Sequence, residues 1–573
     1  MSLLRVTPYR NLSTLNHIIK NIFTTHNVPK NKNYGTASSV VKSTYEDISI
    51  PNQSVTSLVL SQKDHRAESP AVTCGVSGRS YTFGMTRMLI ERGAAALIGQ
   101  VGLKPGDRIG LILPNIPEYV IAIHSAMSAG LTVTFANPLY TEEEITRQFQ
   151  SVGVKSIVTI PLLLETALQI SKKLPNYTQT INIGGEPDPG KNVLSMQALL
   201  MDNDEVDLPK VNPSDIAVLP YSSGTTGPPK GVMLTHQNLV ANIVQCSHHD
   251  FNDLPAFEGP QKTVFTVLPF FHIYGFNTIM NISLYRGEHL ITIPRFTPED
   301  YLSCLIKYKP DTLFVVPSLL LFLASHPEIT ADHLSSVKRV LSGAAPATKN
   351  LIDKFTEKLN RDDCVINQGY GMTETSPVTM LTPFRIEQSK AGSCGRLLPS
   401  TSARLVDQTN GQDITVPYKS GELLIKGPQL MKGYFNNPKA TDETIDEEGW
   451  LHTGDVAYYD DAEYFFIVDR TKELIKVKGN QVSPTELESI ILEMPGVVDV
   501  AVIGIPDTLA GELPRAFVVK QPNADLTEES ISNYLKPKVV AYKNLAGGVI
   551  FINAIPRNAA GKIMRQELKV FGK

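Results

Sequence analysis

The sequence predicts an α/β protein, a large N-terminal α/β region followed by a small α+β unit. Three observations carry this expectation. From about Glu46, short apolar runs of strand length alternate with longer runs of helical periodicity; near residue 400 short strand-like runs separated by turns take over; and after residue 472 a compact set of strands and helices follows.

Residues 108–113 are an apolar run closed by Pro114-Asn115 and read as a buried strand. Residues 116–128 carry Val120, Ile121, Ile123 and Met127 at helical spacing, and 131–135 read as another strand, which completes a β-α-β unit. The alternation recurs at 155–160, 262–268, 289–293 and 312–316, each with a helix-compatible segment behind it. Short strands are expected at 403–406, 421–425 and 464–468. The charged Asp469-Arg470-Thr471-Lys472 then marks a boundary. Beyond it, 473–477 lead into a helix at 484–493, strands at 497–504 and 515–520, a helix at 527–536 and a strand at 548–551. The chain thus divides into a leader (1–45), an N-terminal domain (46–468), a joint (469–472) and a C-terminal domain (473–573).

With 573 residues, 42 % hydrophobic and 19 % charged, the chain has the composition of a globular protein larger than one ordinary domain. A formal charge of -4 gives no bulk attraction for nucleic acid, so small-molecule partners are expected. Cys74, Cys246, Cys304, Cys364 and Cys394 are odd in number, widely spaced and without a C-x-x-C pair, which argues against a disulfide framework and a zinc site. No apolar run reaches transmembrane length; the strongest, 313–324, is interrupted by Pro317 and Ser318 and reads as core.

Up to residue 45 the charged residues are Arg5, Arg10, Lys20, Lys30, Lys32 and Lys42, and the first acid is Glu46. Leu12, Leu15, Ile19 and Ile22 fall at helical spacing opposite Asn16, His17 and Lys20. An amphipathic, acid-free, basic leader predicts a mitochondrial transit peptide and a matrix location; a disordered basic tail is the alternative. The last residues, Val570 to Lys573, do not match the Ser-Lys-Leu peroxisomal signal.

The densest chemical signal is the run from Tyr221 to Gly231. Within it Gly224, Gly227 and Gly231 permit tight turns and close backbone approach, Ser222, Ser223, Thr225 and Thr226 offer hydroxyls, and Lys230 adds charge. Such a loop suits a polyphosphate. It is not a Walker A loop, because Lys230 stands between Pro229 and Gly231.

Seven motifs in order give the chain a family resemblance: Ser222-Ser-Gly-Thr-Thr-Gly-Pro-Pro-Lys-Gly231, Leu268-Pro-Phe-Phe-His-Ile-Tyr-Gly275, Ser342-Gly-Ala-Ala-Pro346, Gln368-Gly-Tyr-Gly-Met-Thr-Glu-Thr375, Gly449-Trp-Leu-His-Thr-Gly-Asp455, Asp469-Arg-Thr-Lys-Glu-Leu-Ile-Lys476 and Asn558-Ala-Ala-Gly-Lys562. Over roughly residues 60 to 570 the chain resembles the adenylate-forming superfamily of acyl-CoA synthetases, 4-coumarate:CoA ligases and beetle luciferases. The resemblance implies a large multi-subdomain N-terminal α/β domain and a small mobile α+β C-terminal lid. It also implies acid activation with ATP and Mg²⁺ to acyl-AMP, then transfer to coenzyme A.

The resemblance carries roles to individual positions. Thr373 and Glu374 meet the α-phosphate and the metal, since a carboxylate beside triphosphate is useful when it holds Mg²⁺. Gln368, Gly369 and Tyr370 lie against adenine, which Ala344 approaches with its backbone. Asp455 takes the ribose hydroxyls with its two acceptor oxygens; Arg470 joins it or forms an interdomain salt bridge, and the two roles are compatible. Lys472 joins the nucleotide contacts and marks the pivot. Lys562 reaches the acid carboxylate and α-phosphate, His272 orients that carboxylate, and Tyr274, Gly343 and Gly371 shape the acid pocket. In the second orientation of the lid, Lys476 and Gln481 face the site, with Lys478, Gly479 and Arg295 at coenzyme A; Asn480 departs from the aromatic residue common there.

His248-His249-Asp250 invites a metal reading, but adjacent side chains ordinarily diverge and the following Asn252, Asp253 and Pro255 suggest a solvated loop. The acid is expected to be a medium- or long-chain fatty acid, with an aromatic acid as the alternative. A luciferase-type oxygenase and a non-catalytic nucleotide-binding protein are the competing functions. The set Glu374, Asp455, Arg470 and Lys562 argues against the last.

Overall fold

The expected β-α-β unit is present as strand Arg108–Leu111, helix Glu118–Ser128 and strand Thr132–Phe135, with the strands parallel and in register from Arg108 opposite Thr132 to Leu111 opposite Phe135. Every residue of the second strand is buried, as is all of the helix except Ser128, which is why both lack a polar alternation. This is a computed structural model, which describes residues 39–61, 66–201, 206–222, 229–252, 259–385, 390, 392–478, 480–558 and 561–570. Ser223, Gly224, Thr225, Thr226 and Gly227 of the phosphate loop, Gly479, and residues 1–38 of the expected leader lie outside the described residues.

The unit belongs to the first of two largely parallel sheets. Its parallel part runs Ile216–Val218, Thr132–Phe135, Arg108–Leu111, Val154–Thr159, Thr180–Asn182, Val193–Ser195, and the antiparallel hairpin Tyr221–Ser222 with Lys230–Thr235 extends one edge. The second sheet places Val365–Gly371, Arg339–Ser342, Thr312–Val315, Thr263–Thr266, His289–Thr292 and Pro70–Cys74 side by side and parallel. Phe135 and Asn137 in one sheet, and Gly343, Ala344 and Gly369 to Met372 in the other, line one cavity at the C-terminal ends of these strands, the usual ligand position in such sheets.

The apolar stretch 313–324 resolves into strand Thr312–Val315 and helix Pro317–Ser325, started by Pro317, whose missing N–H is not needed there. Leu319, Leu320, Leu323 and Ala324 face the core. Among the described residues no helix is long and apolar enough to cross a membrane.

A third, antiparallel sheet orders Val41–Lys42, Ser402–Val406, Gly421–Lys426, Leu451–Tyr459 and Phe465–Arg470. Its first strand falls inside the stretch read as leader, and Tyr45 just after it packs edge-on to Phe251, ring centroids 5.0 Å apart. Its last strand contains Asp469 and Arg470, which the sequence assigned to the joint. Asp469 pairs with Val456 and Arg470 with Asp455, so the turn between the third and fourth sheets is confined to 471–474.

The C-terminal unit carries its own sheet, Asn480–Val482, Ile475–Val477, Gly511–Lys520 and Val497–Asp507, with Val549–Phe551 parallel to Gly511–Lys520. Helices Pro484–Leu492 and Glu528–Leu535 close it over a separate core that includes Val482, Leu487, Ile491, Val500, Val502 and Ile531. A small domain with its own apolar core can turn as a body.

Candidate active site

The hairpin that carries the phosphate loop is set by pairing Tyr221 with Gly231 and Ser222 with Lys230. Tyr221 anchors it by donating to the Gln148 carbonyl at 2.7 Å. Lys230 stands 4.6 Å above the ring of Tyr434, a cation–π contact, and the Tyr434 hydroxyl donates to Glu374 Oε1 at 2.9 Å. Tyr434 reaches this place because the two-residue strand Gly433–Tyr434 pairs with Val232 and Met233, so the lysine expected at the phosphates and the carboxylate expected at the metal share one scaffold. Sequence reasoning missed Tyr434. Gly433 beside it holds a φ of 140° that only glycine adopts readily, but a lone glycine in the sequence does not announce such a strand.

Glu374 is buried, in a short 3₁₀ turn at Thr373–Thr375. The strand before it ends in Gly371, where a Cβ would lie 2.0 Å from the Pro377 carbonyl oxygen; only glycine permits that approach. Upstream, Gln368 accepts the Ala347 N–H at 2.9 Å and Tyr370 points its hydroxyl at Asp455 Oδ2, 2.6 Å away. Ala344 holds φ 67°, a strained conformation for alanine that turns the backbone just beyond strand Arg339–Ser342.

Asp455 is thus gripped twice, by Tyr370 and by Arg470, whose Nε lies 3.1 Å from Oδ1. Burial raises its carboxyl above the usual aspartate range against the pull of Arg470 and the Tyr370 hydroxyl. Lys562 enters from the C-terminal domain. Asn558 shapes its loop, accepting the Lys562 N–H through Oδ1 at 2.9 Å and donating its own backbone N–H to the Lys562 carbonyl at 2.9 Å. Gly561, at φ 78°, lies against Val316, where a Cβ would come within 3.0 Å of Cγ2, so this loop sits directly on the large domain. Burial, reinforced by nearby Arg470, lowers the Lys562 ammonium from its ordinary range, while Glu473 and Asp455 pull the other way.

The side expected to take the acid is formed by Tyr274–Asn281, a π-helical stretch in which Tyr274 and Thr278, with Ile282 beyond it, fall on the cavity wall. Gly275 presses this turn onto the Pro269 carbonyl, 2.1 Å from where a Cβ would be. Tyr274 donates to the Leu341 carbonyl at 3.1 Å, and a Cβ on Gly343 would meet its ring at 3.0 Å. His272 accepts the Tyr274 N–H on Nδ1 at 3.3 Å, and burial lowers it to about 4, so it is a neutral imidazole at pH 7.

These groups enclose a cavity of about 980 Å³ that His272, Tyr274, Gly343, Ala344, Gly371, Thr373, Glu374, Arg470, Lys472 and Lys562 all line. Among the described residues Arg295, Gln368, Asp455, Lys476, Lys478 and Gln481 do not line it, although Tyr370 and Arg470, which hold Asp455, do. Lys476 and Gln481 are cross-strand partners in the small domain, and Gln481 instead donates to Gln408 at 3.2 Å. The triplet His248-His249-Asp250 departs from its sequence reading: the side chains converge, with potential ligand atoms within 4.8 Å of one another.

Residues 60–435 match the AMP-binding enzyme family and 486–562 the AMP-binding enzyme C-terminal domain. The chain is 39 % identical over 550 residues to 4-coumarate--CoA ligase 2 of Oryza sativa subsp. japonica, covering 93 % of this chain and 95 % of that protein. It is 36 % identical over 548 residues to the probable 4-coumarate--CoA ligase 1 of Dictyostelium discoideum, covering 92 % and 97 %. ATP-bound MatB from Rhodopseudomonas palustris superimposes with a TM-score of 0.81 at 26 % identity, covering 91 % of this chain and 99 % of that one. For o-succinylbenzoate CoA synthetase from Bacillus subtilis with its acyl-adenylate the TM-score is 0.75 at 26 % identity, covering 91 % and 99 %. Together with a cavity lined by Glu374, Arg470 and Lys562, these matches place the chain in the adenylate-forming superfamily, as an AMP-forming acid:CoA ligase.

Proposed function

We propose that Lys562, Lys230, Glu374, Asp455, Arg470 and His272 carry out the adenylation half of this reaction, and that the acid is a compact aromatic acid with a polar group at its far end. The observation that carries the first part is the convergence of Lys562 from the C-terminal domain with Lys230, Arg470 and the buried carboxylate of Glu374 from the large domain in one cavity. Asp455 holds the ribose, Lys230 the outer phosphates. Glu374 fits a divalent cation: it is buried, lines the cavity, and keeps one oxygen available while the other accepts from Tyr434. Mg²⁺ held there supplies charge neutralisation for the triphosphate.

Neutral His272, its Nδ1 already accepting, offers Nε2–H to orient the acid. A carboxylate oxygen attacks the α-phosphorus, the bond to pyrophosphate breaks, and Lys562 stabilises the charge between them. In the second half the coenzyme A sulfur attacks the acyl carbon, the bond to AMP breaks, and the thiol proton goes to solvent. Lys562 and the pair Lys476–Gln481 belong to one C-terminal domain, and of these only Lys562 is at the cavity here. We therefore propose a pivot in the turn 471–474, which shares Thr471 and Lys472 with the expected joint 469–472, to bring the other face in for thioester formation.

The acid pocket supports the aromatic reading over the fatty-acid expectation. Its walls include Phe271, Tyr274, Ile282, Phe314, Leu341 and Val378. Four strand residues inward from Gly343, about 13 Å, it reaches Arg339, which donates to Asn367 Oδ1 at 2.9 Å and Asn252 Oδ1 at 3.4 Å. A plain alkyl tail would leave these polar groups facing hydrocarbon. The relatives named 4-coumarate--CoA ligases agree with this reading. Pyrophosphate release and acyl-CoA formation, measured in parallel with hydroxylated aromatic acids and medium-chain fatty acids, test it; higher kcat/KM on the fatty acids would overturn it. The acid-free leader supports a mitochondrial location, to be checked by import of the full chain into isolated mitochondria.

A further inference from the structure

Helix His236–Cys246 ends in Ser247 and is followed by a 3₁₀ turn, His249–Phe251, with His248 at its start. This turn sets the two imidazoles face to face, centroids 4.1 Å apart and tilted by 36°. Asp250 Oδ2 lies 3.5 Å from His248 Nδ1 and 3.5 Å from His249 Nε2. Both contacts are too long for strong hydrogen bonds; His248 Nδ1 also accepts the Asp250 N–H at 3.4 Å, a long bond that an ion at that nitrogen would have to displace.

The spacing has a metric meaning. Around a tetrahedral ion with bonds of about 2.0 to 2.2 Å, ligand atoms stand roughly 3.3 to 3.6 Å apart. Two of the three separations already have that length, and all three atoms lie within 4.8 Å. The remaining edge closes by a swing of the His249 ring, whose side chain is 77 % exposed. The backbone behind the ligands is fixed: Asp250 accepts the Phe384 N–H at 2.8 Å, and the Asn252 amide donates to the Cys246 carbonyl at 2.9 Å and the His248 carbonyl at 3.1 Å. Phe251 is fully buried, and Tyr45 packs against His248 at 5.4 Å. Support of this kind orients a ligand set before the ion arrives.

We propose that His248, His249 and Asp250 bind one first-row divalent transition cation, of which Zn²⁺ and Co²⁺ are the natural probes, with water in the fourth position. Two imidazoles and one carboxylate select such ions over Mg²⁺, which prefers an all-oxygen shell. The site is distinct from Glu374 and does not require nucleotide.

The test is titration of the metal-free, nucleotide-free full chain with Co²⁺, read by visible absorption and equilibrium dialysis, with excess Mg²⁺ present throughout. One Co²⁺ per chain is expected, displaced by Zn²⁺, with affinity weakened at least about tenfold in His249→Ala and Asp250→Asn. Zn²⁺ should raise the melting temperature of the parent chain and leave that of His249→Ala unmoved, a control made practicable by the exposure of His249. Absence of saturable binding, or affinity in His249→Ala within about twofold of the parent, would overturn the proposal.

Discussion

Tyr434 and Glu374 are joined by a hydrogen bond of 2.9 Å from phenol to carboxylate, directly beneath the ammonium of Lys230. Tyr434→Phe keeps the ring under the lysine and removes the donor. A hydrogen bond to a charged group is worth about 1.5 to 3 kcal/mol, so the KM for Mg·ATP should rise roughly tenfold or more with the acid KM little changed. Initial rates over a matrix of ATP and Mg²⁺ concentrations check this.

Lys562→Ala should separate the two half-reactions. One charge at about 4 Å in an effective dielectric near 20 contributes on the order of 4 kcal/mol, which corresponds to roughly two to three decades in rate. Acid-dependent ATP–pyrophosphate exchange should fall by that amount. Thioester formation from supplied acyl-AMP and coenzyme A should persist; equal loss in both would remove Lys562 from the adenylation step.

Gly343→Ala tests the acid pocket without touching the nucleotide. The new Cβ would stand 3.0 Å from the Tyr274 ring, which cannot retreat freely because its hydroxyl is bonded to the Leu341 carbonyl. Overpacking of this kind costs typically 1 to 3 kcal/mol. The acid KM should rise roughly tenfold while the ATP KM holds, and small acids should suffer least.

Three buried histidines make the fold acid-sensitive. Burial lowers His124 to about 3, and His236 and His272 to about 4, from 6.5. Between about pH 6.5 and 4 the unfolded chain binds protons at these positions that the folded chain does not, so stability rises with pH across that window and is lost on acidification. Each group adds at most about 1.4 kcal/mol per pH unit to the slope. Urea midpoints at pH 7, 6 and 5 should decline, and His124→Gln should flatten the decline by one proton. Because His272 stays neutral, kcat/KM should show no inflection near pH 6.5 arising from it.

The parts legible in the sequence are those whose signal is local. Residues 108–135 announce a β-α-β unit because one uninterrupted apolar pattern specifies both strands and the helix between them. Lys562 was legible only through its surrounding motif, since an isolated lysine in Asn-Ala-Ala-Gly-Lys has the composition of any exposed loop. Tyr434 was not legible: its place depends on a two-residue strand added to Lys230–Thr235 from two hundred residues away, and two residues carry no periodicity. Asp469 and Arg470 were assigned to the joint on charge, yet their pairing with Val456 and Asp455 makes them strand. The convergence of His248 and His249 depends on a 3₁₀ turn, whose effect on ring direction no spacing rule conveys.

Beyond the turn at 471–474, only Asn558 and Lys562 of the C-terminal domain line the cavity among the described residues, and neither belongs to the walls of the acid pocket. If the acid lies against the apolar walls proposed for it, the C-terminal domain meets at most its carboxylate, through Lys562. Substrate range in this protein can drift through changes in the large domain alone, while one unchanged lid serves every resulting specificity, so lids exchanged between relatives should transfer rate without transferring preference.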